Sequence, residues 1–432
     1  KMIMAVLFAV LFGAIFFGIP ICFSLAMSSW AALSIFEPNT NMVVLAQRIF
    51  TQADNYVFMA VPFFMLAGEL MLKGGISKRL VQFVKAALWW LPANLACITT
   101  VASMFFGAIS GSNPATVSAI GGMMCPELKK DGYPDDVAGA IAAASGTLGV
   151  IIPPSIPMVV FGIAASVSVT DLFIGGVVPG ILLALILCLT SMWIMRKDKR
   201  DKYAVRAEME AQGITGFKAF KEALGALMMP VIILGGIYGG IFTPTEAGVV
   251  SVFYAFIISR YVYKELSWKE LGNCIERAGI STGTILIVCA CSAPFAWFMT
   301  SQGIPGIIST AIISTVESRI MILLAINMIL LILGCFLDTS VIILLTTPIL
   351  LPIANAAGIS PLVLGIIMVI NTSVGMITPP MAVNLYIASR VSGSRIENIC
   401  KKIVPFLIVE IIFVILISNF PQIITWLPEL IG

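Results

Sequence analysis

Apolar stretches approaching or exceeding twenty residues follow one another along this chain, separated by short polar segments, and each such stretch is long enough to predict a membrane-crossing helix. Spans are expected near 3–36, 54–98, 218–241 and 243–263, followed by a second half from about 279 to the end. The first of these runs from Ile3 to about Met27 without polar relief, too long for the apolar core of a cleaved signal. Two amphipathic pieces, at 41–53 and around Ser267–Ala278, read as helices lying in the membrane interface. The most soluble segment, Lys197 to Phe217 with KDKRDKYAVRAEME, reads as a solvated loop between halves.

The apolar pattern is duplicated. Pro153–Pro154 and Pro379–Pro380 both interrupt very apolar segments and are separated by 226 residues (379 − 153). The same offset pairs Pro126 with Pro352, Gly132 with Gly358, Thr147 with Ser373, Gly149 with Gly375, Asp171 with Glu397 and Pro179 with Pro405. Register kept over so many landmarks predicts two copies of one unit broken at equivalent depth. Charge predicts that the copies are inverted. The loop holding Glu127, Lys129, Lys130, Asp131, Asp135 and Asp136 corresponds to Ile353–Pro361, which has no charged residue, and two spans separate Lys130 from Lys197. Both basic loops then share the cytoplasmic face and the second copy's loop lies outside, as in inverted-repeat transporters.

Composition agrees with this class. The chain is 59% hydrophobic and 11% charged, with a mean hydropathy of +1.05. A net charge of +3 gives no footprint for nucleic acid, and the absence of His removes the commonest transition-metal ligand and the usual proton relay near neutral pH. Nine Cys are scattered through apolar stretches without metal-ligand spacing and read as small buried hydrophobes. No P-loop and no nucleophile–base constellation occurs, so neither ATP-driven transport nor enzymatic chemistry is expected, and no organic cofactor. The chain opens on Lys1 rather than Met, which suggests a preceding segment.

The double prolines carry the candidate chemistry. Proline lacks an N–H and clashes with the carbonyl four residues back, so Pro153 and Pro154 are expected to free the carbonyls of Gly149 and Val150, and Pro379 and Pro380 those of Gly375 and Met376. Unpaired carbonyls persist at membrane depth only inside protein or along a wet cavity. Ser145, Thr147, Ser155, Asn371, Thr372, Ser373 and Thr378 surround them with neutral oxygens, a set suited to a hard monovalent cation. A simple kink is the alternative. A second polar cluster precedes each break by roughly forty residues: GAISGSNP at 107–114, with Ser110, Ser112 and Asn113, and Gly334 to Ser340, with Asp338 and Thr339. The run from Ala115 to Cys125 is eleven residues, about halfway across a bilayer at ~1.5 Å each, which predicts a re-entrant helical hairpin in each copy. Its tip would be a half-helix N-terminus favouring an anion.

Other polar residues read differently. Thr243, Pro244 and Glu246 form a capping box with proline at the first helical position, a structural role. Glu69 is either a functional intramembrane carboxylate or an interfacial group beside Lys73. Arg390, the nearest cation to the polar clusters, reads as an interfacial anchor. The many Met and Phe residues read as packing.

SGSNPATVSAIGG with GTLGVIIPPSIP, the GIFTPTEAG stretch, and DTS with TSVGMITPPMAVNLY resemble the large membrane subunit of tripartite ATP-independent periplasmic (TRAP) transporters, over essentially the whole chain. The resemblance implies an all-α polytopic protein of the ion transporter superfamily: an inverted repeat with two re-entrant hairpins and two broken helices, working as an elevator in the bacterial inner membrane. It implies sodium-coupled import of an organic acid, of dicarboxylate or sialic acid type. Two further partners are implied, a small four-helix membrane subunit, sometimes fused upstream, and a periplasmic substrate-binding protein. A standalone ion-coupled carrier and a passive channel are the rival functions.

The expected organisation is 1–97 for N-terminal scaffold helices, 98–196 for the first transport repeat, 197–278 for the charged loop, scaffold helices and interfacial helix, 279–336 for scaffold and arm helices, and 337–432 for the second transport repeat and C-terminal helices. Substrate is expected at Ser110, Ser112, Asn113, Ser155, Asp338, Thr339 and Thr378. Two or more sodium ions are expected in two groups. The first copy offers Ser112, Asn113, Thr147, Gly149, Val150 and Pro153; the second offers Gly334, Asp338, Ser340, Thr372, Ser373, Gly375, Met376 and Pro379.

Overall fold

The computed structural model describes residues 2–196, 203–211, 213–315, 318–380 and 382–431; the start of the charged loop, 197–202, lies outside them. The described residues are helical throughout. Six helices are long and apolar enough to cross a membrane, or seven if the bent pair Ile396–Asn419 and Gln422–Ile431 counts as one span.

Two opening helices, Met2–Phe16 and Ile21–Phe36, replace the single apolar run expected from Ile3. Gly18 at φ +78° turns the chain, Pro20 cannot continue the preceding helix, and the Ser28 hydroxyl donates to the Leu7 carbonyl at 2.7 Å to join the pair. Gly and Pro punctuate here although every neighbour is apolar. The amphipathic helix Val43–Ala53 forms as a separate element, and Ala60–Lys73 and Ile76–Leu88 follow.

A helical hairpin comes next. Its first leg, Asn94–Ser110, ends at Gly111 with φ +58°. The second leg starts at Asn113 and runs through a π-turn at Val117–Gly121 to Lys130, with Pro126 inside it. The leg is therefore longer than the eleven residues expected to stop at Cys125: an internal proline removes one hydrogen bond, and the helix continues beyond it. The expected half-length leg is therefore not found.

The first break follows. Helix Asp135–Gly146 tightens into a 3-10 turn at Thr147–Val150, opens over 151–155 and resumes as Ile156–Ala165, where Ser155 caps Met158 N–H. Helix Val169–Ile194 closes the half.

The second half repeats this order. Gly216–Tyr238 and Pro244–Ile257 correspond to the opening pair. Thr243 and Glu246 make the expected capping box, with Thr243 N–H to Glu246 Oε2 at 2.8 Å. The expected interfacial piece at Ser267–Ala278 is no separate helix: no turn residue ends it, and it continues as one 34-residue helix, Trp268–Ser301, about 50 Å long. The second hairpin is Arg319–Gly334 and Thr339–Ala356, and the second broken helix is Pro361–Gly375 and Val383–Ser392. Hairpin legs begin 226 residues apart (339 − 113), as do the broken helices (361 − 135). The hairpins thus begin at Asn94 and Arg319, so the division drawn at 98 falls inside a helix and that at 337 falls in a hairpin turn.

The two broken helices form the centre. Every residue from 138 to 162 and from 363 to 377 is buried. They touch at equivalent positions: Ser373 Oγ donates to the Thr147 carbonyl at 2.7 Å, a contact between residues 226 apart. Glycine sets the approach of hairpin to break. A Cβ on Gly107 would stand 2.9 Å from Gly149 Cα, and one on Gly334 would stand 2.7 Å from Gly375 Cα.

Candidate substrate and cation site

Both hairpin tips open into one cavity of about 370 Å³. Ser112, Asn113 and Pro114 line it from the first tip and Asp338, Thr339 and Ser340 from the second, with Val150 and Met376 contributed by the two breaks. The opposite wall is the long helix Trp268–Ser301, which contributes Ser281 and Thr284, with Met65 beside them. No Lys or Arg lines the cavity among the described residues.

The first tip is held against the first break. A Cβ on Gly111 would meet the Pro154 carbonyl at 2.9 Å, and one on Gly149 would meet the Ser112 carbonyl at 2.6 Å. Thr116 Oγ1 donates to the Ser112 carbonyl at 2.8 Å and lies 3.2 Å from Ser110 Oγ, so Ser110 supports the turn from within the hairpin. Asn113 is wholly buried; its Nδ2 donates to Ser373 Oγ at 2.7 Å and contacts Met376 Sδ at 3.5 Å. Its Oδ1 is buried with no partner.

The second tip is closed by a carboxylate. Asp338 Oδ1 accepts the Ser340 N–H at 2.9 Å, capping Thr339–Ala356, and Thr339 Oγ1 points at Met376 Sδ at 3.5 Å. Met376 is therefore shared by both tips.

The breaks differ in their carbonyls. Ile151 and Ile152 N–H groups both turn back to Leu148 O, and among the described residues no donor reaches the carbonyls of Gly149 or Val150. In the second break the expectation of bare carbonyls fails. Thr378 N–H donates to Gly375 O at 2.9 Å and Asn384 N–H reaches across to Met376 O at 3.1 Å. The chain after Pro380 folds back far enough for the resumed helix to supply the missing donor.

Several candidates lie away from the cavity. Thr147, Thr372 and Ser373 are buried behind it: the Thr147 hydroxyl donates to Ala144 O at 2.7 Å and Thr372 to Met368 O at 2.7 Å. Ser155 is spent as a cap, and Thr378 donates to Val374 O at 2.9 Å. Gly149, Pro153, Gly334, Gly375 and Pro379 do not line it either; Gly149, Gly334 and Gly375 act through the close approach of backbones. Arg390 is exposed on Val383–Ser392, and Glu69 lies on a helix face near Cys274, whose thiol contacts its carbonyl.

Other polar groups at the centre were not singled out by motif. Ser281 and Thr284 sit three residues apart on an apolar helix, a spacing that puts them on one face and could have flagged them. Asn384 is wholly buried with neither side-chain polar atom partnered, and Glu410, on Ile396–Asn419, is wholly buried against Thr147. Asn384 follows the second break closely, whereas Glu410 lies on an unbroken helix where nothing in the local pattern distinguishes it.

The donor-free carbonyl of Val150, the unpartnered Asn113 amide oxygen and the Asp338 carboxylate belong to residues lining one cavity, an oxygen-rich set of a kind that suits a hard cation beside a small anion. The whole arrangement matches a described family: residues 8–423 fit "Tripartite ATP-independent periplasmic transporter, DctM component". The chain belongs to this family. It is the large membrane subunit of a TRAP transporter. It is 37% identical to the C4-dicarboxylate TRAP transporter large permease protein DctM of Vibrio cholerae, covering 100% of this chain and 98% of that protein. To the sialic acid TRAP transporter large permease protein SiaM of the same organism it is 33% identical, covering 97% and 96%. The isethionate TRAP transporter permease protein DctMQ of Oleidesulfovibrio alaskensis is 40% identical over 93% of this chain, and the chain spans 62% of that relative's length. The TRAP subunit also shares its fold with the YdaH transporter of Alcanivorax borkumensis, with a TM-score of 0.60 at 13% identity over 87% of this chain and 86% of that one.

Proposed function

We propose that this subunit imports an organic anion across the bacterial inner membrane, driven by two or more sodium ions. The observation that carries the reading is the convergence of both hairpin tips and both breaks on one cavity, with Val150, whose carbonyl is free of donors, lining its first side and the donor-free Gly149 carbonyl one residue before it. One ion is assigned to the first tip and break, with Ser112, Asn113, Gly149 and Val150, and another to the second tip with Asp338 and Ser340. Substrate lies between the tips, held by Ser112, Asn113, Thr339 and the helix N-termini, with the cation at its side supplying the positive charge that the cavity lining lacks. Relatives named for C4-dicarboxylate, sialic acid and isethionate support a negatively charged substrate.

The energetics suffice. Each sodium ion gains about 2.3 kcal/mol from 100 mV and about 1.4 kcal/mol from a tenfold gradient. Two ions supply roughly 7 kcal/mol, and returning about 2.3 for a monovalent anion leaves near 5, enough for accumulation on the order of a thousandfold.

The second hairpin leg Thr339–Ala356 packs against the long helix Trp268–Ser301, and the cavity lies between that helix and the two tips. This arrangement suits an elevator in which hairpins and broken helices carry the site across the bilayer as re-entrant tips enclose substrate. A periplasmic binding protein delivers the substrate, and a small four-helix membrane subunit completes the scaffold; the relative named DctMQ supports a native fusion of the two membrane parts. Uptake into proteoliposomes, with and without sodium, small subunit and binding protein, tests the reading. Uptake requiring all three is expected. Transport that ignores the sodium gradient removes the coupling, and transport by this chain alone replaces the reading with a standalone carrier.

A further inference from the structure

Glu410 is a buried carboxylate that neither the sequence pattern nor the cavity explains. It is 0% exposed on helix Ile396–Asn419. Its Oε1 lies 3.3 Å from Thr147 Oγ1, and its Oε2 has no partner. No Lys or Arg among the described residues forms an ion pair with it. The Thr147 hydroxyl has one proton, and its shorter bond, 2.7 Å, runs to the Ala144 carbonyl. The 3.3 Å contact, in which Thr147 Oγ1 faces Glu410 Oε1, therefore leaves an ionised Glu410 with little of that proton.

What surrounds Thr147 is also oxygen. Its carbonyl accepts from Ser373 Oγ, which in turn accepts from Asn113 Nδ2, leaving Asn113 Oδ1 buried and unpartnered. The donor-free carbonyls of Gly149 and Val150 follow two and three residues later. A buried negative group without a protein cation is strongly disfavoured, and intramembrane carboxylates that persist do so against a partner.

We propose that Glu410 is the counter-charge of the cation bound at the first break, acting across Thr147 as a positioning residue rather than as a ligand facing the cavity. This rests on the sodium reading above. It gives the first site the negative charge that its neutral tip lacks and that Asp338 gives the second. It also ties helix Ile396–Asn419 of the second half to the ion site of the first.

Thermal unfolding of the purified full chain, titrated with sodium against choline at constant ionic strength, tests it, because a ligand bound only by the folded state raises the midpoint by mass action. Glu410→Gln keeps the shape and the contact with Thr147 and removes the charge. Its sodium half-saturation should rise about tenfold while its stability without sodium does not fall. Should that variant fail to fold, Glu410→Asp, which keeps the charge but withdraws it, must show the raised half-saturation. A sodium-responsive wild type with unchanged half-saturation in whichever variant folds overturns the inference and leaves sodium coupling standing. A wild type indifferent to sodium overturns both.

Discussion

The two broken helices began as copies, yet they hold their interrupted backbones differently. In the first, the carbonyls of Gly149 and Val150 have no donor among the described residues and the facing tip is neutral, Ser112 and Asn113. In the second, Thr378 and Asn384 N–H groups occupy the carbonyls of Gly375 and Met376, and the facing tip carries Asp338. One half presents peptide oxygen; the other satisfies its backbone and presents a carboxylate. Duplication fixed where the chain breaks, and the two copies present different oxygens there. In the proposed cation sites, equivalent positions of this fold are therefore not equivalent ligands.

The glycine contacts give the largest expected effects. A Cβ at Gly149 would meet the Ser112 carbonyl and Thr116 Oγ1, both at 2.6 Å, whereas one at Gly375 would meet Gly334 Cα at 2.5 Å. Gly149→Ala should displace the first tip and abolish sodium-dependent uptake. Gly375→Ala forces apart two backbones and should additionally cost about 1–3 kcal/mol of stability, seen as a lower unfolding midpoint. Gly122→Ala, with nothing within 4 Å, is the control; equal behaviour of all three would erase the contrast.

The tips come next. Asp338→Asn keeps an oxygen to cap the Ser340 N–H but removes the charge, and should raise the sodium half-saturation of uptake by roughly tenfold or more, about 1.4 kcal/mol. Ser112→Ala removes a neutral hydroxyl that caps nothing and should raise it only severalfold. Full uptake and unchanged sodium dependence in Ser112→Ala would withdraw that residue from the site.

A smaller asymmetry lies at the hairpin's far end. Lys85 on Ile76–Leu88 pairs with Glu127 on the first hairpin, with side chains 10% and 30% exposed. The corresponding positions in the second half, Ala311 and Ile353, are apolar. Lys85→Met should lower the unfolding midpoint, and adding Glu127→Leu should restore much of it, because the cost of a half-buried charge is removed with its partner. The smallest effect belongs to the caps. Thr243 caps Pro244–Ile257, while the equivalent Ile21–Phe36 starts at Pro20 with no side-chain cap. Thr243→Ala should cost about 1 kcal/mol and leave uptake unchanged.

Much of this was legible because punctuation residues survive in an apolar background. The prolines and glycines of the breaks, the GSNP and DTS turns and the capping box are local signals, and each has a local physical cause. What the sequence hid is of two kinds. Gly18 and Pro20 were local signals too, obscured by wholly apolar neighbours, and Pro126 and Pro352 were read as helix ends although both legs run through them. Asn384 and Glu410 instead owe their burial to packing between distant helices, which no periodicity within one helix reports. The satisfied Met376 carbonyl of the second break belongs to this kind as well, since its donor, Asn384 N–H, comes from the helix that resumes after Pro380.

Radioactive sodium binding to the purified chain at equilibrium tests the central claim most directly. Two saturable sites are predicted at minimum, with Asp338→Asn losing the second while the first persists, and Gly149→Ala losing the first while the second persists. Absence of saturable binding, or a stoichiometry that neither substitution changes, would contradict the assignment of one cation to each half.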